Sequence, residues 1–313
     1  MNVGILGAGN IANMMAATLT MMKNVNAKAV AARDVSRAKA FAEKYNISRA
    51  YGSYEELYAD ADIDLIYIAT TIAHHAEQMK AALLHGKNVL CEKAFTLNAA
   101  EAREVIALGK EKKLLVAEAI WTRYMPMRKT LDRIISEGKI GQVRALSANL
   151  AYPVHTIERL SSKELGGGAL LDIGVYPVNF ALMHFGDKIQ KIESSIFPYP
   201  GGVDAMGNVT FTYNDGKAAF LHFGMTYRSD RRGFIFGDKG YIEFLNINNC
   251  QGIRVYDTDD KLLTSVETPP QLTGFEYQVE SCRKAIEAGA VECPEMPHHD
   301  IITVMEILDS IRR

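Results

Sequence analysis

Short apolar runs alternate with helical periodicity over residues 1–120. Runs at 2–6, 27–32, 65–69, 88–91 and 114–117 are apolar with little alternation and read as buried strands. Between them, 11–22, 37–45, 54–58, 75–84 and 99–112 carry apolar residues at helical spacing. Ser36 and Asn98 precede two of these segments and can accept from the orphan N–H groups as N-caps. Strands alternating with helices predict parallel βαβ units, a doubly wound α/β sheet with helices on both faces.

From residue 121 the rhythm changes. Helical periodicity at 127–137 stops at Gly138, and at 169–185 it stops at Gly186. Across 189–265 strand follows strand, at 209–213, 218–226, 232–236, 240–244 and 253–256. The connections hold turn residues such as Asn214-Asp215-Gly216 and Gly237-Asp238-Lys239-Gly240. Such spacing predicts a large, mostly antiparallel sheet. Helices at 274–288 and 299–311 complete an α+β half. Two domains are expected, 1–120 and 121–313.

Composition narrows the function classes. A chain of 313 residues can build two cores without staples. With 48% hydrophobic and 23% charged residues, long disorder is excluded. Lys plus Arg is 35 against 37 for Asp plus Glu, so the basic excess of a nucleic-acid partner is missing. No uninterrupted run of about 18 apolar residues suggests a membrane partner. Cys91, Cys250, Cys282 and Cys293 show neither a CxxC pair nor metal-ligand spacing, so no metal site is expected. Free thiols, with a strand starting at residue 2 and no basic leader, predict a cytoplasmic protein.

Gly7-Ala8-Gly9-Asn10-Ile11-Ala12 joins the first strand to the first helix. A GxGxxA string is weak alone, but in this context it is the dinucleotide-binding (Rossmann) fingerprint. Gly7 allows the tight turn, Gly9 lets backbone approach a pyrophosphate, and Ala12 permits close helix–strand packing. The N–H groups at Asn10 and Ile11 open the helix, whose positive end attracts phosphate. The competing reading, a Gly-rich turn that serves packing only, is disfavoured by the motif's place in the first βαβ unit.

An NAD site places an acid at the end of the second strand. Ala32 stands there instead, followed by Arg33-Asp34-Val35-Ser36-Arg37. Arg33 and Arg37 can clasp a 2′-phosphate, so NADP is the expected cofactor. NAD stays open if the strand runs two residues longer and Asp34 takes the acid's place. A solvated loop is the third reading of the two arginines.

Lys93 follows the apolar strand 88–91 within Cys91-Glu92-Lys93-Ala94, at the carboxyl end where open α/β sheets bind ligands. In the second half, Gly166-Gly167-Gly168-Ala169-Leu170-Leu171-Asp172 leads to Tyr176-Pro177. Asp172 and Tyr176 are four apart and share a helix face. Pro177 predicts a kink or a late helix start. On spacing alone, Tyr176 as a packing residue and Asp172 as a cap explain the pattern equally well.

These strings, with Glu118-Ala119-Ile120-Trp121-Thr122-Arg123 and Glu292-Cys293-Pro294-Glu295-Met296, resemble the Gfo/Idh/MocA oxidoreductase family over essentially the whole chain. Within it, the similarity is greatest to a branch acting on dihydrodiols and D-xylose. The resemblance implies that Lys93 is the lysine of the family's Glu-Lys-Pro motif, near the nicotinamide and the reacting oxygen, with Glu92 beside it. It implies that Tyr176 is the acid/base, Asp172 its supporting acid, and Thr70, Thr71 and His75 a cofactor loop. Ala94 replaces the motif proline, whose peptide bond is often cis; cis bonds are costly before other residues, so cis and trans both stay open here. The loop Thr70-Thr71-Ile72-Ala73-His74-His75 lacks the usual Pro-Asn, and Ile72 cannot make an amide contact. A core histidine is the equal alternative for His75.

The implied reaction is hydride transfer between nicotinamide and a carbinol carbon. Free tyrosine, with a pKa near ~10, is a poor base at neutral pH, and a nearby Lys93 ammonium would lower that value. Lys93 would also polarise the carbonyl oxygen. Trp121 and Arg123 wall the substrate pocket on this reading, or else pack in the core. A small, neutral hydroxylated substrate is expected: a sugar, polyol or vicinal diol. Arg123 and Arg159 leave an anion open. The resemblance also implies a homodimer or homotetramer through the second sheet. Two rivals stand beside this: an inactive NADP(H)-binding regulator of the same fold, and an NAD-linked inositol-type dehydrogenase.

Overall fold

The structure, a computed structural model, describes residues 1–312. By its internal contacts the chain divides into two units: Met1–Trp121 with Gln271–Met305, and Thr122–Pro270 with the segment from Glu306 onward.

In the first unit β1 (Asn2–Leu6), α1 (Asn10–Met21), β2 (Asn26–Ala31), α2 (Val35–Tyr45), β3 (Arg49–Tyr51), α3 (Tyr54–Ala59), β4 (Leu65–Ile68), α4 (His75–Leu84), β5 (Asn88–Cys91), α5 (Ala99–Lys112) and β6 (Val116–Glu118) alternate. Neighbouring strands are parallel, in the order β3-β2-β1-β4-β5-β6. The winding reverses between β1 and β4, the place where such sheets bind nucleotides. All four residues of β4 are buried, which explains an apolar run without alternation. One expectation needs correction, and one strand was not foreseen. The α2 cap is Asp34, whose side chain accepts from Ser36 N, and not Ser36 itself. The three-residue β3 is too short to leave a period.

The second unit holds α6 (Pro126–Ser136), β7 (Val143–Ala151), a short α7 (Glu158–Ser161), α8 (Val175–Phe185), β8 (Ile189–Tyr199), β9 (Val203–Tyr213), β10 (Ala218–Gly224), β11 (Gly233–Gly237), β12 (Gly240–Phe244), β13 (Ile253–Asp257) and β14 (Leu262–Val266). They form an eight-stranded sheet, β14-β13-β12-β11-β7-β10-β9-β8. The β10–β7 pair is parallel and the other pairs are antiparallel. The large, mostly antiparallel sheet is therefore present, with β7, β8 and β14 added to the expected strands. One face is covered by α8, so closely that a Cβ at Gly233 would stand 2.6 Å from the Phe180 ring.

The segment Lys163–Phe185 has the length to cross a bilayer and a most apolar stretch with a mean hydropathy of 1.3, but 78% of that stretch is buried. It is the core element of this unit. A π-helical turn, Leu170–Gly174, opens it, and α8 proper begins at Val175. Pro177 thus falls just after the π-helical turn, the kind of local irregularity that accompanies a proline inside a helix.

The closing helices, α9 (Glu276–Glu287) and α10 (His298–Ile311), differ from a single cut near residue 120. Residues 271–305 return to the first unit because polar and aromatic contacts hold them there. Val116 N donates to Val291 O at 2.9 Å, and the His298 ring bonds Val116 O at 3.0 Å. Thr18 and Thr273 hydroxyls meet at 2.7 Å. Phe275 stacks on Trp121 with centroids 4.3 Å apart.

Candidate active site

The glycine loop after β1 is fixed from several sides. Gly7 has φ +105°, a left-handed backbone, and a Cβ there would stand 2.8 Å from Ala69 O. Its N–H donates to Ala31 O at 2.9 Å, tying the loop to the end of β2. Gly9 is different: a Cβ would meet nothing within 4 Å, so the space over its backbone is open. Asn10 is exposed and Ile11 half-buried where α1 begins, while Ala12 is fully buried against the sheet. No side chain caps α1, leaving its N–H groups to a ligand. A loop with an open backbone at an uncapped helix start fits a dinucleotide pyrophosphate. Sequence reading missed Asn13, whose amide nitrogen donates to Gly9 O at 2.8 Å. Its oxygen accepts from Lys44 Nζ and Tyr45 OH, each at 2.9 Å. Its position four residues after Gly9 was the available signal.

At the end of β2, Asp34 is committed to the helix. Its carboxylate accepts from Ser36 N at 2.8 Å and from Ser36 Oγ at 2.7 Å, and these bonds hold it below the usual carboxylate pKa. β2 stops at Ala31, before Ala32, so Asp34 does not stand at the strand's end. Arg33 and Arg37 are exposed, and Arg37 Nη2 reaches Ala8 O in the glycine loop at 3.5 Å.

The loop after β4 contributes Thr70, Thr71 and His75. Thr70 Oγ1 donates to Gln78 Oε1 at 2.5 Å, and Thr71 O accepts from His74 N at 2.9 Å. His75, the first residue of α4, is fully buried and faces main-chain carbonyls. Its Nδ1 lies 3.0 Å from Ala94 O and 3.3 Å from Phe95 O; its Nε2 lies 3.4 Å from Thr70 O. Burial, opposed by these bonds, brings its pKa down to about 4, so the ring is neutral at pH 7. Two acceptors at Nδ1 place the proton there. The ring ties the β4 loop to the segment after Lys93.

Glu92 is 5% exposed. It accepts from Tyr67 OH through Oε1 and from Lys93 N through Oε2 at 3.3 Å. The Lys93–Ala94 peptide is cis. Hydrogen bonds fix the chain on both sides of it, at Glu92 N with Ile68 O (3.0 Å) and at the Ala94 and Phe95 carbonyls with His75. From Val89 to Thr96, Lys93 is the one residue that is not buried.

In the second unit, Tyr176 repeats that pattern: from Gly168 to Leu182 it is the one residue not buried. Asp172, on the π-helical turn, is 9% exposed and accepts from Arg159 Nη1 at 2.9 Å. The turn is anchored by Asp204, whose Oδ2 accepts from Leu170 N at 2.5 Å and whose pKa burial raises. Arg123 is 1% exposed and donates through Nε to Asn179 Oδ1 at 2.6 Å, bracing α8 from inside. Trp121, in the first unit, is 8% exposed against Phe275. Both residues expected in a pocket wall are thus largely enclosed. Among the described residues, no three His, Cys, Asp or Glu side chains gather as a metal site.

A doubly wound parallel sheet with a glycine loop at its switch point, followed by a separate sheet-forming unit, defines a dinucleotide-binding protein of two units. Residues 1–119 match the oxidoreductase family with an NAD-binding Rossmann fold, and 128–243 match the GFO/IDH/MocA C-terminal domain. The chain belongs to the GFO/IDH/MocA family, and is an oxidoreductase of the dehydrogenase type. It is 35% identical to trans-1,2-dihydrobenzene-1,2-diol dehydrogenase of Xenopus laevis, over 98% of this chain and 95% of that one. Its identity to the Homo sapiens enzyme of the same name is 32%, over 99% and 95%. Among solved structures it is similar to KijD10, a 3-ketoreductase from Actinomadura kijaniata in complex with NADP and TDP-benzene. There the TM-score is 0.90 and the identity 25%, over 100% of this chain and 97% of that one.

Proposed function

We propose that this protein is an NADP-dependent dehydrogenase that acts on a vicinal diol, a sugar or a polyol, the cyclic diol first. The observation that carries this reading is the exposure pattern: one competent side chain emerges from each of two buried stretches, Lys93 and Tyr176. The diol is favoured by the 31–35% identity to dihydrodiol dehydrogenases over nearly the full length.

The residues suit distinct tasks. The Gly7–Ala12 loop and the start of α1 hold the pyrophosphate, and Gly9 gives it room. Arg33 and Arg37 take the 2′-phosphate, while Asp34 is withheld from the ribose by its bonds to Ser36. When bound, the nicotinamide supplies or accepts the hydride. Lys93 polarises the reacting oxygen, Tyr176 gives or takes its proton, and Asp172 supports that exchange as a carboxylate paired with Arg159.

The outer face of the second sheet carries Phe220 at 51% and Phe236 at 38% exposure, with Phe234 stacked 5.9 Å from Phe236. We assign this face to a homodimer or homotetramer; a monomer by light scattering at micromolar concentration would reject it. Four buried cysteines, none in a disulfide, support a cytoplasmic location.

The test is a screen of NADP⁺ and NAD⁺ reduction with trans-dihydrodiols, pentoses, hexoses and inositols. Turnover is expected with NADP⁺ and a diol or sugar. Tight NADPH binding with no turnover of any of them would replace this reading with a regulator. Arg33→Ala should raise KM for NADP⁺ about tenfold and leave KM for NAD⁺ near its original value. An equal effect on both would refute the 2′-phosphate role.

A further inference from the structure

Lys93 is the residue whose placement the proposed chemistry depends on most, and what fixes its main chain is visible in three strand ends. β4 and β5 are parallel neighbours with Tyr67 opposite Leu90. Side chains alternate faces along a strand, so Glu92, two residues beyond Leu90, lies on the Tyr67 side of the sheet. Tyr67 is fully buried and Glu92 nearly so. A phenol buried in an all-apolar strand needs a partner, and a buried carboxylate needs donors. Here each answers the other: Tyr67 OH donates to Glu92 Oε1. The second oxygen, Oε2, receives the Lys93 main-chain N–H at 3.3 Å. The carboxylate thus bridges the hydroxyl of one strand to the backbone of the residue that leaves the next.

The rest of the segment is fixed by groups that do not replace this link. The Glu92 N–H donates to Ile68 O at 3.0 Å, and His75 Nδ1 bonds the Ala94 and Phe95 carbonyls. These hold the chain before and after Lys93. The Lys93 N–H itself is oriented through Glu92. Glu118, on β6 opposite Cys91, is a second buried acid at the same end of the sheet. Burial raises the Cys91 thiol pKa, and the charges of Glu92 and Glu118 add to it. A hydroxyl donor is the group that stabilises an anion there without adding a charge.

We propose that Tyr67 is a positioning residue that acts on Lys93 through Glu92, holding the main chain from which the lysine emerges. The proposal rests on the assignment of Lys93 to the reacting oxygen. Tyr67→Phe removes one oxygen from a packed strand and leaves its ring. The expected result is a kcat about tenfold lower, the size of one lost hydrogen bond to a charged group, with KM for NADP⁺ within about twofold and Tm nearly unchanged. Glu92→Gln, which weakens the same bridge at its centre, should reproduce the drop.

A double-mutant cycle separates this proposal from the reading beneath it. In a Lys93→Met background, adding Tyr67→Phe should cost less than about twofold, because the residue it positions is gone. A kcat for Tyr67→Phe within about twofold of wild type would overturn the proposal. So would a tenfold loss that persists undiminished in the Lys93→Met background. If Lys93→Met itself turned over normally, the assignment of Lys93 would fail, whatever Tyr67→Phe did. Should Tyr67→Phe prove unstable, the same cycle run with Glu92→Gln decides in the same terms.

Discussion

Lys93 and Tyr176 each emerge from a buried stretch, but different forces hold the two stretches in place. The Lys93 segment is a short loop after β5, clamped by polar side chains: Glu92 on its own N–H, His75 on the carbonyls beyond it. The Tyr176 segment is a helix seated in a core, with neighbouring residues at near-zero exposure and a π-helical turn at its start. Two carboxylates pin that turn, Asp204 through the Leu170 N–H and the buried Asp172 through Arg159. A polar clamp fixes direction residue by residue, whereas a packed helix fixes it collectively. Substitutions of the buried residues around Lys93 should therefore act on catalysis, and those of the buried residues around Tyr176 on stability.

The largest expected effect tests the first half of that contrast. Lys93→Met should lower kcat by ~10²-fold or more while NADPH binding stays measurable by fluorescence. Near-normal turnover would end the assignment. Tyr176→Phe should cost kcat a comparable ~10²-fold with little change in Tm, since the residue is half-buried and the substitution keeps its ring. A large fall in Tm would make Tyr176 a packing residue and break the comparison.

Next comes the glycine pair. Gly168 has φ +110°, and a Cβ there would stand 2.2 Å from Asp204 Oδ1. Gly168→Ala should destabilise the protein by on the order of 2–3 kcal/mol, read as a drop in Tm. Gly9→Ala has open space and a φ of −91°, so its Tm should hold while the Kd for NADPH rises about tenfold. Equal stability losses would mean that both loops are structural.

The smallest effect is a pH dependence. His75 has its pKa at about 4 in the fold, against 6.5 for the free side chain. Between those values the unfolded chain binds the extra proton, so this contribution to stability is full above pH 6.5 and falls as the pH drops towards 4. Over the first unit below 6.5 the loss is about 1 kcal/mol. Comparing wild type with His75→Gln by urea unfolding isolates it from the buried His184 and His298, whose pKa values burial also lowers. Identical pH slopes in the two proteins would remove His75 from the clamp as a neutral donor.

How much of this was legible in the chain follows from the kind of force involved. Buried parallel strands and capped helices leave strong periods, and 2–6, 88–91, 75–84 and 99–112 were read with the bounds observed. The glycine loop was legible because backbone needs restrict residue type there. β7 was missed because Leu146, Ala148 and Leu150 alternate with Ala145, Ser147 and Asn149, a weak contrast in size and polarity. β8 has eleven residues of which none is fully buried, so no apolar face announced it. Tyr67 hid in an apolar run, since its ring reads as core and its hydroxyl's partner comes from the next strand. The cap at Asp34 was misassigned by two positions, because Asp and Ser are both good caps and only the backbone tells them apart.

The return of residues 271–305 to the first unit has a consequence in time. β6 lies at the end of its sheet, and Val116 finds its partner in Val291. On a ribosome adding ~5–20 residues per second, that partner arrives roughly 10–35 s after Val116 itself. For that interval the newborn nucleotide-binding half carries a bare, apolar strand edge, the kind of surface to which other nascent chains adhere. The half that begins first is completed late, and its vulnerability during synthesis is set by the length of everything encoded in between.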